Sequence, residues 1–76
     1  MATAYQKERR KQIEEQRERD KLTGAAMKAK REKAGKKAYW VADRLGFSGA
    51  YISDLELGKR HWTPLLIEWY EKAIGA

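Results

Sequence analysis

The stretch Val41-Ala42-Asp43-Arg44-Leu45-Gly46-Phe47-Ser48 constrains this chain more than any other. Ala42 is small enough to stand where two helices cross closely. Gly46 can take the positive φ of a sharp turn without steric cost. Phe47 is placed to plug the gap between the helices, and the Ser48 hydroxyl can cap the first free N–H groups of a new helix. Small residue, glycine, apolar residue and cap, in that order, predict two short helices at a steep angle, the second protruding from the domain.

The flanking sequence reads as helix too. Thr23 is read as an N-cap that opens a helix to Ala34, with Met27, Arg31 and Ala34 on one face and Gly35 as a left-handed stop. Lys37 to Leu45 forms the second helix, with Val41, Ala42 and Leu45 facing inward. Ser48 to Leu57 forms the third, with Tyr51, Ile52 and Leu55 at helical spacing, and Gly58 ends it. Lys59 to Trp62 is a loop. Thr63-Pro64 then starts a last helix to Ile74, because proline at the first helical position gives up only an N–H that has no partner there. Its core residues are Leu66, Ile67, Tyr70 and Ile74. Strand alternation and internal repeats are not seen. The expected fold class is all-α: a compact helix-turn-helix bundle of four core helices (residues 23–76) with a charged N-terminal helical arm (residues 1–22).

The arm has a different character. It holds seven basic and five acidic side chains, net +2, and opposite charges recur at helical spacing, as in Arg10 with Glu14, Lys11 with Glu15 and Glu15 with Arg19. Each such pair supports a helix by about 0.2–0.5 kcal/mol. Ile13 and Leu22 stand nine residues apart, which makes no heptad seam. A solvated or frayed helical arm is expected. A dimerising coiled coil and a basic arm following a DNA backbone stay open as alternatives, the near-balance of charge weighing against the second.

Composition excludes several classes. With 76 residues and no cysteine, stability must come from packed helices, with neither disulfides nor thiolate metal sites to help. No apolar run is long enough to span a membrane, and no apolar core of a signal peptide is visible. His61 stands alone and cannot found a zinc site. Ser48 and Ser53 have no histidine base placed by a motif. No catalytic residue, metal or cofactor is expected, and the chain is not read as an enzyme. A net charge of +6 favours a polyanionic partner, nucleic acid first.

From Leu22 to Ile74 the chain resembles the Cro and lambda-repressor type of helix-turn-helix domain, the XRE-like family. The matching residues are Leu22-Thr23-Gly24, Arg31, Gly35, Val41-Ala42, Leu45-Gly46, Ser48, Leu55-Glu56 and above all the string Tyr51-Ile52-Ser53-Asp54-Leu55-Glu56-Leu57-Gly58-Lys59-Arg60. The resemblance implies a DNA-binding transcriptional regulator, a repressor in a phage or prophage setting, working in bacterial cytoplasm, nucleoid or a phage-infected cell. It implies a homodimer on double-stranded DNA, with residues 48–57 in the major groove. Arg31 and Glu56 match a structural ion pair. Ser48, Gly49, Ala50, Ser53 and Asp54 match base-reading positions, while Lys36, Lys37, Lys59 and Arg60 match phosphate contacts that Arg44 could join.

The sequence departs from the family at several of these positions. Base readout favours forked Arg, Lys, Asn or Gln side chains. Gly49 and Ala50 have no polar group, Asp54 repels phosphate, and Ala38 stands where a glutamine is common. Ala50 could still touch a thymine methyl, Gly49 could admit the backbone, and Asp54 could accept from a cytosine amino group. Specificity is then expected to lean on DNA shape. Tyr39 and Trp40 fall where the family is polar, so they read either as a protein-partner patch or as residues the arm folds back to cover. Trp62 and Trp69 read as packing residues near the last helix, with a share in a dimer surface open. His61 is read as a loop residue near phosphate. The competing reading is a protein-interaction module that kept the fold without specific base readout. A third is nonspecific nucleic-acid coating through the arm.

Overall fold

The computed structural model describes residues 3–75. Among them are four helices and no strand: α1 (Ala4–Lys33), α2 (Ala38–Leu45), α3 (Gly49–Glu56) and α4 (Pro64–Ala73). The protein is the expected all-α helix-turn-helix bundle with a charged helical arm. No helix among the described residues is long and apolar enough to cross a membrane.

The arm and the first core helix are one element. α1 runs unbroken through Thr23, which is not a helix start. Its N-cap is Thr3, whose hydroxyl accepts from the Gln6 N–H while the Gln6 side chain accepts from the Thr3 N–H, a reciprocal capping box. The other helix starts match expectation within a residue. Ser48 caps α3 by accepting from the Tyr51 N–H, and Thr63 caps α4 by accepting from the Leu66 N–H, with Pro64 following. Gly46 ends α2 at φ 76°, the left-handed turn its lack of a Cβ allows.

The core holds Met27 of α1, Val41 and Ala42 of α2, Ile52 and Leu55 of α3, Trp62, and Leu66, Tyr70, Ala73 and Ile74 around α4. Leu45, Phe47, Tyr51 and Ile67 pack against its edge. Phe47 sits between helices as the turn motif requires, its ring 4.7 Å from that of Tyr51. Trp62 is the anchor of the loop before α4. Its indole Nε1–H donates to the Leu55 carbonyl and its ring meets Tyr70 edge-on. Ala34, expected on the inner face of the first helix, is instead its exposed C-cap.

Two glycines let α1 lie against the end of α3. A Cβ on Gly24 would stand 2.5 Å from the carbonyl oxygens of both Leu55 and Glu56. A Cβ on Gly58 would stand 2.6 Å from Cα of Lys21. The backbones touch where no side chain fits, and that contact fixes where α1 leaves the domain.

Candidate nucleic-acid interface

The helix-turn-helix unit is held from behind by an ion pair. Arg31 of α1 and Glu56 of α3 are 8% and 7% exposed. Arg31 Nε donates to Glu56 Oε2 at 2.8 Å and its NH2 donates to Oε1 at 2.9 Å, a two-point clasp. Arg31 NH1 donates to the Lys36 carbonyl at 2.9 Å, tying the α1–α2 turn to the same group. The Tyr70 hydroxyl donates to Glu56 Oε2 from α4. Side chains of α1 and α4 therefore meet the carboxylate of α3, and the α1–α2 turn is tied to it through Arg31. Its hydrogen bond raises the Arg31 pKa against the opposing effect of burial. Burial, and then the bond to Glu56, push the Tyr70 phenol well above its ordinary value. The resemblance anticipated Arg31 with Glu56; Tyr70 as third partner was anticipated only as an apolar core residue.

In front of that clasp, Ser48, Gly49, Ala50 and Ser53 are all exposed on the N-terminal part of α3. Asp54 is half-buried, with Arg60 Nε 3.7 Å from its carboxylate. Arg60 also lies over the Tyr51 ring at 4.8 Å. The loop cation and the helix carboxylate thus offset each other locally. Lys59 is exposed beside it.

At the start of α2, Lys37 is the exposed N-cap and makes no side-chain capping bond; the Trp40 N–H donates instead to the Lys37 carbonyl. Lys36 Nζ and the Arg44 guanidinium each lie 4.5 Å from the Trp40 ring centre. Trp40 is half-buried against the core and holds two cations by their attraction to its π face. It does not share an open patch with Tyr39, which is 67% exposed and is not covered by the arm. The five candidate phosphate ligands therefore fall into two groups, Lys36 and Lys37 just before α2 with Arg44 on it, and Lys59 and Arg60 after α3.

The sequence reading missed Asp20. Only 6% exposed, its Oδ1 accepts from the Trp62 N–H at 3.0 Å and lies 3.2 Å from His61 Nδ1. Gln16 Nε2 is 2.9 Å from the same His61 nitrogen. His61 thus faces α1 rather than standing free in the loop. Nothing near Asp20 in sequence marks it, because its partner lies forty-two residues on.

The expected arm pairs Arg10–Glu14, Lys11–Glu15 and Glu15–Arg19 are not among the ion pairs of the described residues, which are Lys30–Glu71, Arg31–Glu56, Arg60–Asp54, His61–Asp20 and Lys72–Glu68. Exposed side chains in high dielectric gain little by holding one geometry. Trp62 is buried as expected, but Trp69 is 46% exposed and Leu65 beside it 51%. No protein-family model matches this chain, nor does any curated protein or solved structure.

Proposed function

We propose that this chain is a DNA-binding regulator of the Cro and lambda-repressor type that inserts α3 into the major groove of a duplex. One observation carries the reading: the N-terminal residues of α3 are exposed together on a helix clasped from behind, with cations before it in the chain at Lys36, Lys37 and Arg44 and after it at Lys59 and Arg60. Ser48 and Ser53 supply hydroxyls for base edges or phosphates. Ala50 supplies a methyl for thymine, and Asp54 an acceptor for the cytosine amino group. Lys36, Lys37 and Arg44 on one side and Lys59 and Arg60 on the other contact phosphates, giving affinity and salt dependence without a sequence code. Arg60 beside Asp54 lowers the repulsion that carboxylate would otherwise set against the backbone. Repression from a homodimer in a bacterial or phage-infected cell belongs to the same proposal, with half-sites about 34–36 Å apart.

Selection from random duplex DNA at near-physiological salt tests it. An enriched two-fold motif is the expected outcome, and no retention of any duplex would overturn it. A second reading, a protein-interaction module, draws on the exposed Tyr39 and the absence of polar side chains at Gly49 and Ala50. The double substitution K59E/R60E separates the two: DNA binding is lost, whereas a protein partner docked on the Tyr39 face is retained.

A further inference from the structure

The buried residues of α1 are Asp20, Gly24, Met27 and Arg31, a stripe with steps of four, three and four. Followed upward by the same steps, the stripe continues through Gln16, Ile13, Arg9 and Gln6. At 3.6 residues per turn, Arg10 and Arg17 flank this line on one side. Every glutamate of the arm (Glu8, Glu14, Glu15 and Glu18) falls on the opposite half of the helix, where Lys7, Lys11 and Arg19 accompany them. The net +2 of the arm is therefore not spread evenly. The side continuing the buried stripe carries Arg9, Arg10 and Arg17; Glu14 stands at its edge, one turn from both Arg10 and Arg17, and Asp20 is occupied by the Trp62 N–H. None of these three arginines is in an ion pair among the described residues.

This side also has a fixed position. It leaves the domain over the α3–α4 loop, where Gln16 and Asp20 meet His61 and Lys21 lies against Gly58. Lys59 and Arg60 are in that loop. Ala4 to Arg19 then extend about 24 Å beyond Asp20 as helix. The molecule is 49 Å long and only 20 Å across.

We infer that the arginine-bearing side of the α1 arm is a second phosphate-binding strip, continuing the Lys59–Arg60 loop along the duplex backbone flanking the α3 site. The inference rests on the DNA-binding reading above and extends its footprint. The occupant is chosen by charge: three unpaired arginines with one isoleucine repel a second copy of the same strip, whereas a polyanion satisfies them. The strip reads no bases, and its contribution is affinity, register and salt dependence.

Two triple substitutions of equal charge test it. R9Q/R10Q/R17Q neutralises the strip; K7Q/K11Q/R19Q removes the same charge from the other side. Glutamine keeps helix propensity close to that of lysine and arginine, so circular dichroism should show α1 intact in both. Binding to a long duplex is measured against salt concentration. Each lost phosphate contact lowers the log–log salt slope by about 0.9. The strip variant is expected to lose about two to three from that slope and roughly tenfold or more in affinity on every sequence alike. The other variant is expected to lose less than about one. On a duplex trimmed to the α3 site, the two variants should bind equally. Equal effects of both triples on the long duplex would overturn the proposal, since the arm would then act only through net charge. No effect of either would overturn it as well. A change in oligomeric state with an unchanged salt slope would reassign the strip to contact with a second copy. Loss of all duplex binding by the wild-type chain would instead overturn the α3 reading itself, a result distinct from tight binding with an indifferent arm.

Discussion

From Asp20 to Arg31, α1 places a buried residue every third or fourth position, whereas from Ala4 to Arg19 none of its described side chains is buried. Both stretches are helix, and for different reasons. The lower half is fixed by what it touches: a carboxylate clasp at Arg31, a glycine contact at Gly24, and the Trp62 N–H at Asp20. The upper half has no buried side chain among the described residues, and only Gln16, at its base, reaches a tertiary partner, His61. Isolated helices of about 12–15 residues are marginal in water, chiefly because the first turn is costly to nucleate. Here the docked half supplies the nucleus, so the arm needs only to propagate, and the Thr3–Gln6 capping box closes its far end. One helix can therefore serve as core element and as projecting strip, with its stability graded along its length.

The comparison predicts that substitutions below Asp20 act on global folding. The largest effect belongs to Arg31→Ala. It leaves Glu56 buried with only the Tyr70 hydroxyl as partner, and stranding one member of a buried ion pair costs about 3–5 kcal/mol. For a domain of 76 residues that is much of its total stability. The measurement is the chemical-denaturation midpoint, and a midpoint equal to wild type would remove the clasp from the account of the fold.

Gly24→Ala comes next. The added methyl meets two backbone oxygens, which cannot swing aside as a side chain would. Overpacking of this kind costs about 1–3 kcal/mol, partly offset by the roughly 1 kcal/mol that alanine gains over glycine in a helix. A net loss of up to about 2 kcal/mol is expected, together with altered hydrogen exchange at the C-terminal end of α3. A stabilised variant would show that α1 and α3 are not in backbone contact.

How much of this was legible in the sequence depends on the range of the physics. Glycine stops, the Ser48 and Thr63 caps and the turn around Gly46 act within a few residues, and they appear where the order of residue types implied. Thr23-Gly24 misled because a cap-like pair is also what a close helix crossing requires: Gly24 serves the contact with α3, and the helix passes through. The Thr3–Gln6 box is present as a Thr-x-x-Gln pattern, but it precedes no apolar run, the usual mark of such a helix start. Asp20 was not readable, since its value lies in an N–H that only the fold brings near. The arm's cationic side was in the sequence all along. A net charge averages over faces, and only the buried stripe of the lower half says which face matters.

Asp20 sharpens the comparison at its boundary. Asp20→Ala strands the Trp62 N–H and releases His61, at a cost of about 1–2 kcal/mol, while Asp20→Asn keeps an acceptor oxygen and should recover most of it. The informative readout is local: exchange at the Trp62 amide should speed up in the alanine variant more than at Ile52 in the core. If the two rose together, Asp20 would belong to the global fold and not to the boundary between docked helix and arm.

The smallest effect on folding should come from Glu15→Gly, in the middle of the arm. Glycine costs about 1 kcal/mol in a helix interior relative to alanine, but only for conformations in which that segment is helical. Because the arm shares no buried contact with the domain, the loss should appear as reduced helical signal and faster amide exchange above residue 15, with the denaturation midpoint changed by less than about 0.5 kcal/mol. The same substitution leaves all three strip arginines in place but uncouples Arg9 and Arg10 from the rigid lower helix. DNA affinity should then fall although a negative charge has been removed, opposite to what net charge alone dictates. A midpoint shift as large as that of Gly24→Ala would mean that the two halves of α1 fold as one unit, and the contrast between them would fail.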